Sequence, residues 1–576
     1  MIKLLRFAKN YRKQIILGPV FKFLEAVFEL ILPLLMARLV DQGIQAGDQA
    51  TVIKYSLWMV LMSVVGWIFA ITCQYYASIA SQGFGTELRN QLMRKINTFS
   101  HSELNHFGTD TLITRMTNDI NQLQLALAML IRLVIRAPFL SIGSVIMAFY
   151  INVQMGLLFL GLLPIFCVIL YFIIKKTVPL YKKVQQKLDH LNELVNQNLS
   201  GVRVIRAFAR TKTETRQFAE TSDDLSAVYQ RVTNISALLS PLTTLIMNGG
   251  IILLLYVGGI KINIGSLQQG EVLALINYMN QMLLALIIVS NLVIIFTRAA
   301  ASASRVNEVF NTENRLVEPQ NATTAPAKDP LFIDFSHVDF RYTDDSGLAL
   351  TDITFRLRRN TVLGITGPTG SGKTTIAQLI PRFYDISRGE ITVNHLDVRN
   401  WSLSDLRQKI ALVPQKAVLF SGTLRENLQW GKRDATDEEC WAALRTAQCL
   451  DFAQNLPEQL DTLILENGKN FSGGQRQRLT IARALIAKPE LLILDDSLSA
   501  LDYQTDLDLR RALQRDLTAT VIIISQRIRS IQEAQQILVM ESGKLVAKGT
   551  HQELLKHSSD YQEIVQSQAE EGSHEA

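Results

Sequence analysis

The sequence predicts a multi-domain chain: an all-α membrane domain of six helices over residues 1–313, a linker over 314–330 and an α/β domain over 331–576. Three observations carry that division. Of the 576 residues 48% are hydrophobic while 19% are charged, at a mean hydropathy of +0.15, which averages two unlike regions. Long uncharged runs fall only in the first half, at Tyr55–Thr86, Ala137–Ile174, Val232–Ile260 and Val272–Thr297. From Leu331 onward, short β-branched runs alternate with helical patterns, the mark of an α/β domain.

A helix needs roughly 20 apolar residues to cross the hydrocarbon. Ala137–Ile174 therefore holds two spans joined at Ile151–Met155, and Ile15–Val40 supplies the first of six. The segment before the first span is basic and then apolar, like a signal peptide, but the apolar part runs too long and no small-residue cleavage site follows. The outer loops Asp41–Val52 and Ile151–Met155 carry no Lys or Arg. Arg6, Lys9, Arg12 and Lys13, then Arg89, Arg94, Lys95 and Arg115, then the segment from Lys175 to Arg231 hold the cations on the other side. By the positive-inside rule both termini are cytoplasmic, in a multi-pass protein of the cell membrane.

The long segments between spans 2 and 3 and between spans 4 and 5 read as helices continuing into the cytosol, with tips near Gly108–Thr109 and Ala207–Thr211. A net charge of +6, with its cations beside the spans, points to the lipid bilayer as partner and not to nucleic acid. Cys73, Cys167, Cys440 and Cys449 show no paired spacing, which argues against a disulfide framework or a zinc site. Asn314–Pro330, rich in Pro, Ala, Thr and Asn without periodicity, reads as the linker.

In the second half, Gly367, Pro368, Thr369, Gly370, Ser371, Gly372, Lys373 and Thr374 match G-x-x-x-x-G-K-[ST], after a strand-like run and before a helix-like one that opens with Thr375. Backbone N–H groups in such a P-loop curl around phosphates, and the helix terminus adds partial positive charge. Lys373 is expected on the β/γ-phosphates of ATP and Thr374 on Mg²⁺. Leu491–Asp495 reads as a buried strand that delivers Asp495 to the same cation.

Between these two motifs lies Asn470–Leu485, and its "FSGGQ" resembles the signature of ABC ATPases. The family's other elements follow in order. Tyr342 resembles the aromatic that stacks on adenine. Gln415 resembles the glutamine that senses the γ-phosphate and the membrane domain and helps to hold the cation, and Ser499–Asp502 the loop that crosses to a partner. Gly543–Leu555 is similar to the closing strand and helix. With six spans ahead of one such domain, the chain resembles a type I ABC exporter half-transporter with a P-loop ABC ATPase domain. The resemblance implies a second half-transporter, because Ser472, Gly473, Gly474 and Gln475 would close over ATP held by the other chain's P-loop.

At two positions the chain departs from that family. Asp496 stands where the family has the catalytic Glu, and Gln526 where it has the switch His. Aspartate keeps the charge but withdraws it by one C–C bond, and a misplacement near 1 Å can cost on the order of 100-fold. Glutamine can hydrogen-bond a phosphate but carries no positive charge. A slow site here beside an intact signature implies a heterodimer exporting amphipathic drugs or lipids. A homodimer with Asp496 as working base, or an ATP-sensing regulatory subunit, are the alternatives.

In the membrane half, Glu25 and Glu29 on span 1 and Arg132 and Arg136 at the start of span 3 are costly charges. Counting at ~1.5 Å per residue puts Glu25 level with Arg136, which predicts that pair within an ion-pair ladder locking the helices, or else a carboxylate left unpaired in one state to attract cationic substrate. Asn277, Tyr278, Asn280, Gln281 and Met282 on span 6, with Met247 and Asn248 on span 5, suit either bridges between helices or an amphipathic cavity.

Overall fold

The computed structural model describes residues 2–316 and 331–574, so most of the expected linker, residues 317–330, lies outside the described residues. The chain divides into two compact units: residues 1–97 with 109–312, and residues 98–108 with 313–576.

Six long helical segments build the first unit: α1 (Arg12–Arg38), α2 (Gln49–Asn97), α3 (Thr109–Ile151), α4 (Val153–Ser200), α5 (Thr211–Asn263) and α6 (Gln269–Asn311). Among the described residues, α2, α3, α5 and α6 are long and apolar enough to cross a membrane, and α4 contributes a shorter apolar stretch, Val153–Ile169. α1 falls short by composition because Lys22, Glu25 and Glu29 interrupt its apolar run. Those charges are neutralised within the bundle. Lys22 meets Glu25 at 2.7 Å and Arg136 meets Glu29 at 2.8 Å.

The expected Glu25–Arg136 pair is therefore wrong by one helical turn. Depth counting ignored Lys22, which lies three residues before Glu25 and captures its carboxylate locally. It also treated span 3 as unbroken, whereas the helix is interrupted at Leu133, just before Arg136. Asn152 alone makes the turn between α3 and α4, its carboxamide oxygen accepting from the N–H groups of Gln154 and Met155 at 3.0 and 3.4 Å.

The polar residues of span 6 mostly hold helices together. Tyr278 is fully buried and its hydroxyl donates to Leu30 O at 2.6 Å, while Gln281 Nε2 donates to Glu29 O at 3.4 Å. Met282 packs in the same core beside Met279 and Leu30. Tyr278 and Met282 thus lie within the bundle and line no open cavity in this arrangement.

Lower in the unit, a π-turn at Arg115–Asp119 aims the buried Asp119 at α6. Ser302 Oγ donates to its Oδ1 at 2.9 Å and Arg305 Nε to its Oδ2 at 2.8 Å. Arg115, read from the sequence only as a topology marker, donates to Arg305 O at 2.9 Å and pairs with Glu308.

The second unit begins with the expected tip at Gly108, whose φ of +72° ends a short helix, His101–Phe107, capped by Ser100 and Glu103. His101 stacks on Phe383 at 4.2 Å, and Asn105 Nδ2 donates to the Tyr384 hydroxyl at 3.0 Å. The other tip, in the first unit, is the short helix Val202–Ala207.

Twelve strands follow: β1 (Leu331–Phe340), β2 (Leu350–Arg358), β3 (Val362–Thr366), β4 (Arg388–Val393), β5 (Leu396–Asp397), β6 (Ile410–Val413), β7 (Gly422–Thr423), β8 (Leu463–Ile464), β9 (Leu491–Asp495), β10 (Thr520–Ile524), β11 (Gln536–Glu541) and β12 (Lys544–Gly549). β2-β1-β4-β5 form an antiparallel sheet. β12-β11-β3-β10-β9-β6 form the central sheet, parallel except at β12. Each β9 residue is buried, with Leu491 and Ile493 facing the antiparallel sheet and Leu492 and Leu494 the helices. That is why a parallel strand covered on both faces reads as a continuous apolar run.

Removing either partner of the Glu29–Arg136 pair, as in Glu29→Ala, is expected to destabilise the first unit by on the order of 2 kcal/mol, seen as a lower Tm in detergent. The exchange Glu29→Arg with Arg136→Glu should recover it, and Glu25→Arg with Arg136→Glu should not.

Candidate nucleotide-binding site

The P-loop leaves the end of β3 and turns into α7 (Lys373–Leu379). Its glycines are required by geometry. Gly367 has φ +143° and a Cβ there would sit 2.0 Å from Met540 O, while Gly372 at φ +97° would strike Leu350. Lys373 is nearly buried and its Nζ donates into the loop itself, to Gly367 O at 2.9 Å, Pro368 O at 2.6 Å and Ser371 Oγ at 3.3 Å. Burial pushes its ammonium below the ordinary lysine pKa, against the pull of Asp496 and Asp495.

Strand order brings the other predicted groups to this loop. β10 lies beside β3, β9 beside β10 and β6 beside β9. Their carboxyl ends carry, in turn, Gln526, then Asp495 with Asp496, then Gln415. Gln526 Nε2 donates to Thr369 Oγ1 of the P-loop at 3.2 Å. Thr374 Oγ1 donates to Asp495 Oδ1 at 2.9 Å. Gln415 Nε2 donates to Asp496 Oδ2 at 3.1 Å. Asp496 itself occupies the left-handed region at φ +45°, held by its N–H on Ile524 O at 2.9 Å, and Ser499 Oγ donates to its carbonyl at 2.7 Å. Burial raises the pKa of both Asp495 and Asp496 above the usual carboxylate range.

These oxygens suit Mg²⁺. A threonine hydroxyl, one carboxylate and a nearby amide leave room for phosphate oxygens and water, which is how this hard cation is bound at nucleotide sites. No cluster of three or more His, Cys, Asp or Glu that could hold a metal occurs among the described residues.

A cavity of about 340 Å³ adjoins the loop, lined by Tyr342, Leu348, Gly370, Lys373, Thr375 and Gly543 among others. Tyr342 is partly exposed there, with its hydroxyl 2.9 Å from Thr375 Oγ1 and its ring edge-on to Tyr384. Neither Tyr384, which packs on Tyr342, nor Ser542, which lines the cavity, belongs to a sequence motif, and Gly543 reads in the sequence only as the start of the closing strand; folding brings them together.

Ser472, Gly473, Gly474 and Gln475 do not line that cavity. They open α8 (Gly473–Leu485), with the Ser472 N–H on Gln475 Oε1 at 2.9 Å and the Gln475 N–H on Ser472 Oγ at 3.3 Å. Helix geometry leaves the first N–H groups without an intrahelical acceptor, and a Cβ on Gly473 would meet open space. Asp502 caps α9 (Tyr503–Asp516) through Thr505.

Comparisons with known proteins bear on the family and the fold of both units. Residues 15–287 match the family model described as the ABC transporter transmembrane region, and residues 350–499 the one described as ABC transporter. The chain is 37% identical to the Bacillus subtilis (strain 168) protein "Uncharacterized ABC transporter ATP-binding protein YfiB", over 99% of this chain and 98% of that one. It is 34% identical to "Probable multidrug resistance ABC transporter ATP-binding/permease protein YheI" of the same organism, over 84% of each. It is 30% identical to the "ATP-dependent lipid A-core flippase" of Syntrophus aciditrophicus (strain SB), over 89% of this chain and 86% of that one. A solved structure of a bacterial Atm1-family ABC exporter with ATP bound shares the fold at a TM-score of 0.81, with 22% identity over 97% of this chain and 99% of that one.

Thr374→Val keeps the side-chain shape and deletes the hydroxyl. It is expected to weaken fluorescent-nucleotide binding roughly 10–100-fold in the presence of Mg²⁺ and to leave binding in EDTA unchanged. Thr374→Ser should stay close to the parent.

Proposed function

We propose that this chain, which belongs to the ABC transporter family, is one half of a heterodimeric ATP-driven exporter and holds the slower of its two ATP sites. The observation that carries the reading is the pair of departures at Asp496 and Gln526, both at the γ-phosphate end of one site, in a chain whose signature is intact.

ATP binding replaces the carbonyls of Gly367 and Pro368 on Lys373 by β/γ-phosphate oxygens, which form stronger, charge-assisted bonds. Tyr342 offers its ring to adenine. Bound Mg²⁺ neutralises phosphate charge, and Thr374, Asp495 and Gln415 are the residues that would hold it. Asp496 is left to orient the attacking water with a side chain one methylene short, already engaged by Gln415. Gln526 donates one neutral hydrogen bond where a histidine would also bring charge. General-base help is worth roughly 10²–10⁴-fold, so this site retains ATP and turns it over slowly.

Ser472, Gly473 and Gly474 lie on a different helix terminus from the P-loop cavity and serve ATP held by the other half-transporter. A partner with a complete glutamate and histidine then has one competent site. Closure of the two ATPase domains moves the segments at His101–Phe107 and Val202–Ala207, and with them the spans. Cargo is amphipathic drug or lipid, in keeping with the relatives named for multidrug resistance and for lipid A-core flipping. The basic flanks of the spans set both termini in the cytoplasm.

One observation favours a second reading. Asp496 keeps a carboxylate just past the end of β9, next to Asp495 and 3.1 Å from Gln415 Nε2, and as a working general base it would give a homodimer two such sites.

ATPase rates in nanodiscs separate the two. The heterodimer reading expects activity only with a partner half-transporter, little change on Asp496→Ala and a loss of about 100-fold or more on Glu→Gln at the partner's equivalent position. Robust turnover by this chain alone, abolished by Asp496→Ala, would establish the homodimer.

A further inference from the structure

The loop that carries Gln526 is gripped from outside the sheet by one side chain. Gln568, on the C-terminal helix α11 (Ser559–His574), donates from Nε2 to Gln526 O at 2.6 Å and accepts at Oε1 from Ile528 N–H at 2.9 Å. A donor to the carbonyl of one residue and an acceptor from the N–H two residues on is the pattern that one residue's N–H and C=O make with a neighbouring parallel strand. The carboxamide of Gln568 therefore continues, with a side chain, a backbone pairing that β10 has just lost. The last sheet bond here is Ser525 N–H to Ile365 O at 3.1 Å.

Without Gln568, two backbone groups would lose their partners. Arg527 precedes the short helix α10 (Ile528–Ile531) and its side chain makes no cap bond, so the Ile528 N–H belongs to the orphan donors of a helix start. The same loop is tied on its other side to both neighbours of the nucleotide. Gln526 Nε2 meets Thr369 of the P-loop at 3.2 Å, and Arg527 Nη1 donates to Leu501 O, just before Asp502, at 3.2 Å. The helix bearing Gln568 is itself fixed by packing. Tyr561 is fully buried with its hydroxyl 2.8 Å from His551 Nδ1, and Ile564 and Val565 lie against the core.

We propose that Gln568 is a positioning residue: the C-terminal helix holds the Gln526 backbone in place, so that a neutral and flexible side chain can still reach the γ-phosphate. This rests on the reading that Gln526 contacts bound nucleotide. A glutamine has more rotamer freedom to lose than the imidazole it replaces, and a fixed backbone lowers the number of conformers that miss the phosphate. The clamp demands an amide. Glutamate would keep the acceptor for Ile528 and set a carboxylate oxygen against the Gln526 carbonyl. Asparagine would be a methylene short.

A double-mutant cycle on the full-length chain in nanodiscs tests this, read as half-saturation of photolabelling by 8-azido-ATP with Mg²⁺. The label reports the P-loop site of this chain whatever its partner. Gln526→Ala and Gln568→Glu are each expected to weaken labelling about fivefold, the worth of one hydrogen bond, and the double variant no further than either. Gln568→Ala carries the same test without a new charge. Gln562→Ala, which removes a bond from the same helix to Leu555 O, should leave labelling unchanged. If Gln526→Ala weakens labelling but Gln568→Glu and Gln568→Ala are silent, or weaken it equally in the Gln526→Ala background, the clamp is overturned and the reading of Gln526 stands. If Gln526→Ala itself is silent, that reading fails and the clamp fails with it.

Discussion

β3, β10, β9 and β6 run side by side and in parallel, and each stops at the same edge of the sheet. Everything at this site that can handle a phosphate hangs from that edge or from the loop beside it. The register is not free to drift. With β9 and β10 buried on both faces, a slip of one residue would exchange the two apolar sets and drag Asp495 out of line with Thr374. The hydrophobic core fixes where the carboxylate stands, and chemistry at the edge inherits that precision.

Several of the polar side chains at the edge are engaged with one another or with their own loop. Lys373 bonds the carbonyls of its own loop, Thr374 bonds Asp495, Gln415 bonds Asp496 and Gln526 bonds Thr369. Such a network keeps desolvated groups from being orphaned and holds them near the positions a triphosphate would need. It also brings out the tension at Asp496. Its carboxylate stands at the sheet edge beside Asp495, while its short side chain and its bond to Gln415 restrain it.

In the membrane unit the same economy of polar groups serves packing. Glu29, Arg136, Tyr278 and Gln281 are engaged between helices, and Asp119 is enclosed by Ser302 and Arg305. Hydrocarbon offers a lone charge no partner, so charges in such helices settle on one another. α2 shows the converse, an apolar helix long enough to cross a membrane whose Leu57, Trp67 and Tyr75 are exposed on the unit's surface.

The nucleotide motifs, the α/β character of the second half and the helical membrane half were legible because they rest on local rules. Glycine at positive φ, an apolar run ending in aspartate and uncharged spans are all written in consecutive residues. The proposed departures at Asp496 and Gln526 likewise rest on consecutive residues alone. Tertiary structure decided what depends on residues far apart in sequence. It paired Glu29 and not Glu25 with Arg136, because Lys22 and the break at Leu133 reset the depths. It placed Tyr278 and Met282 in the bundle core, brought Ser542 and Tyr384 to Tyr342 and the P-loop, and set Gln568 against Gln526. Sequence separation hides such contacts, since the pattern that selects them is the shape of the packed helices and sheets and not any spacing along the chain.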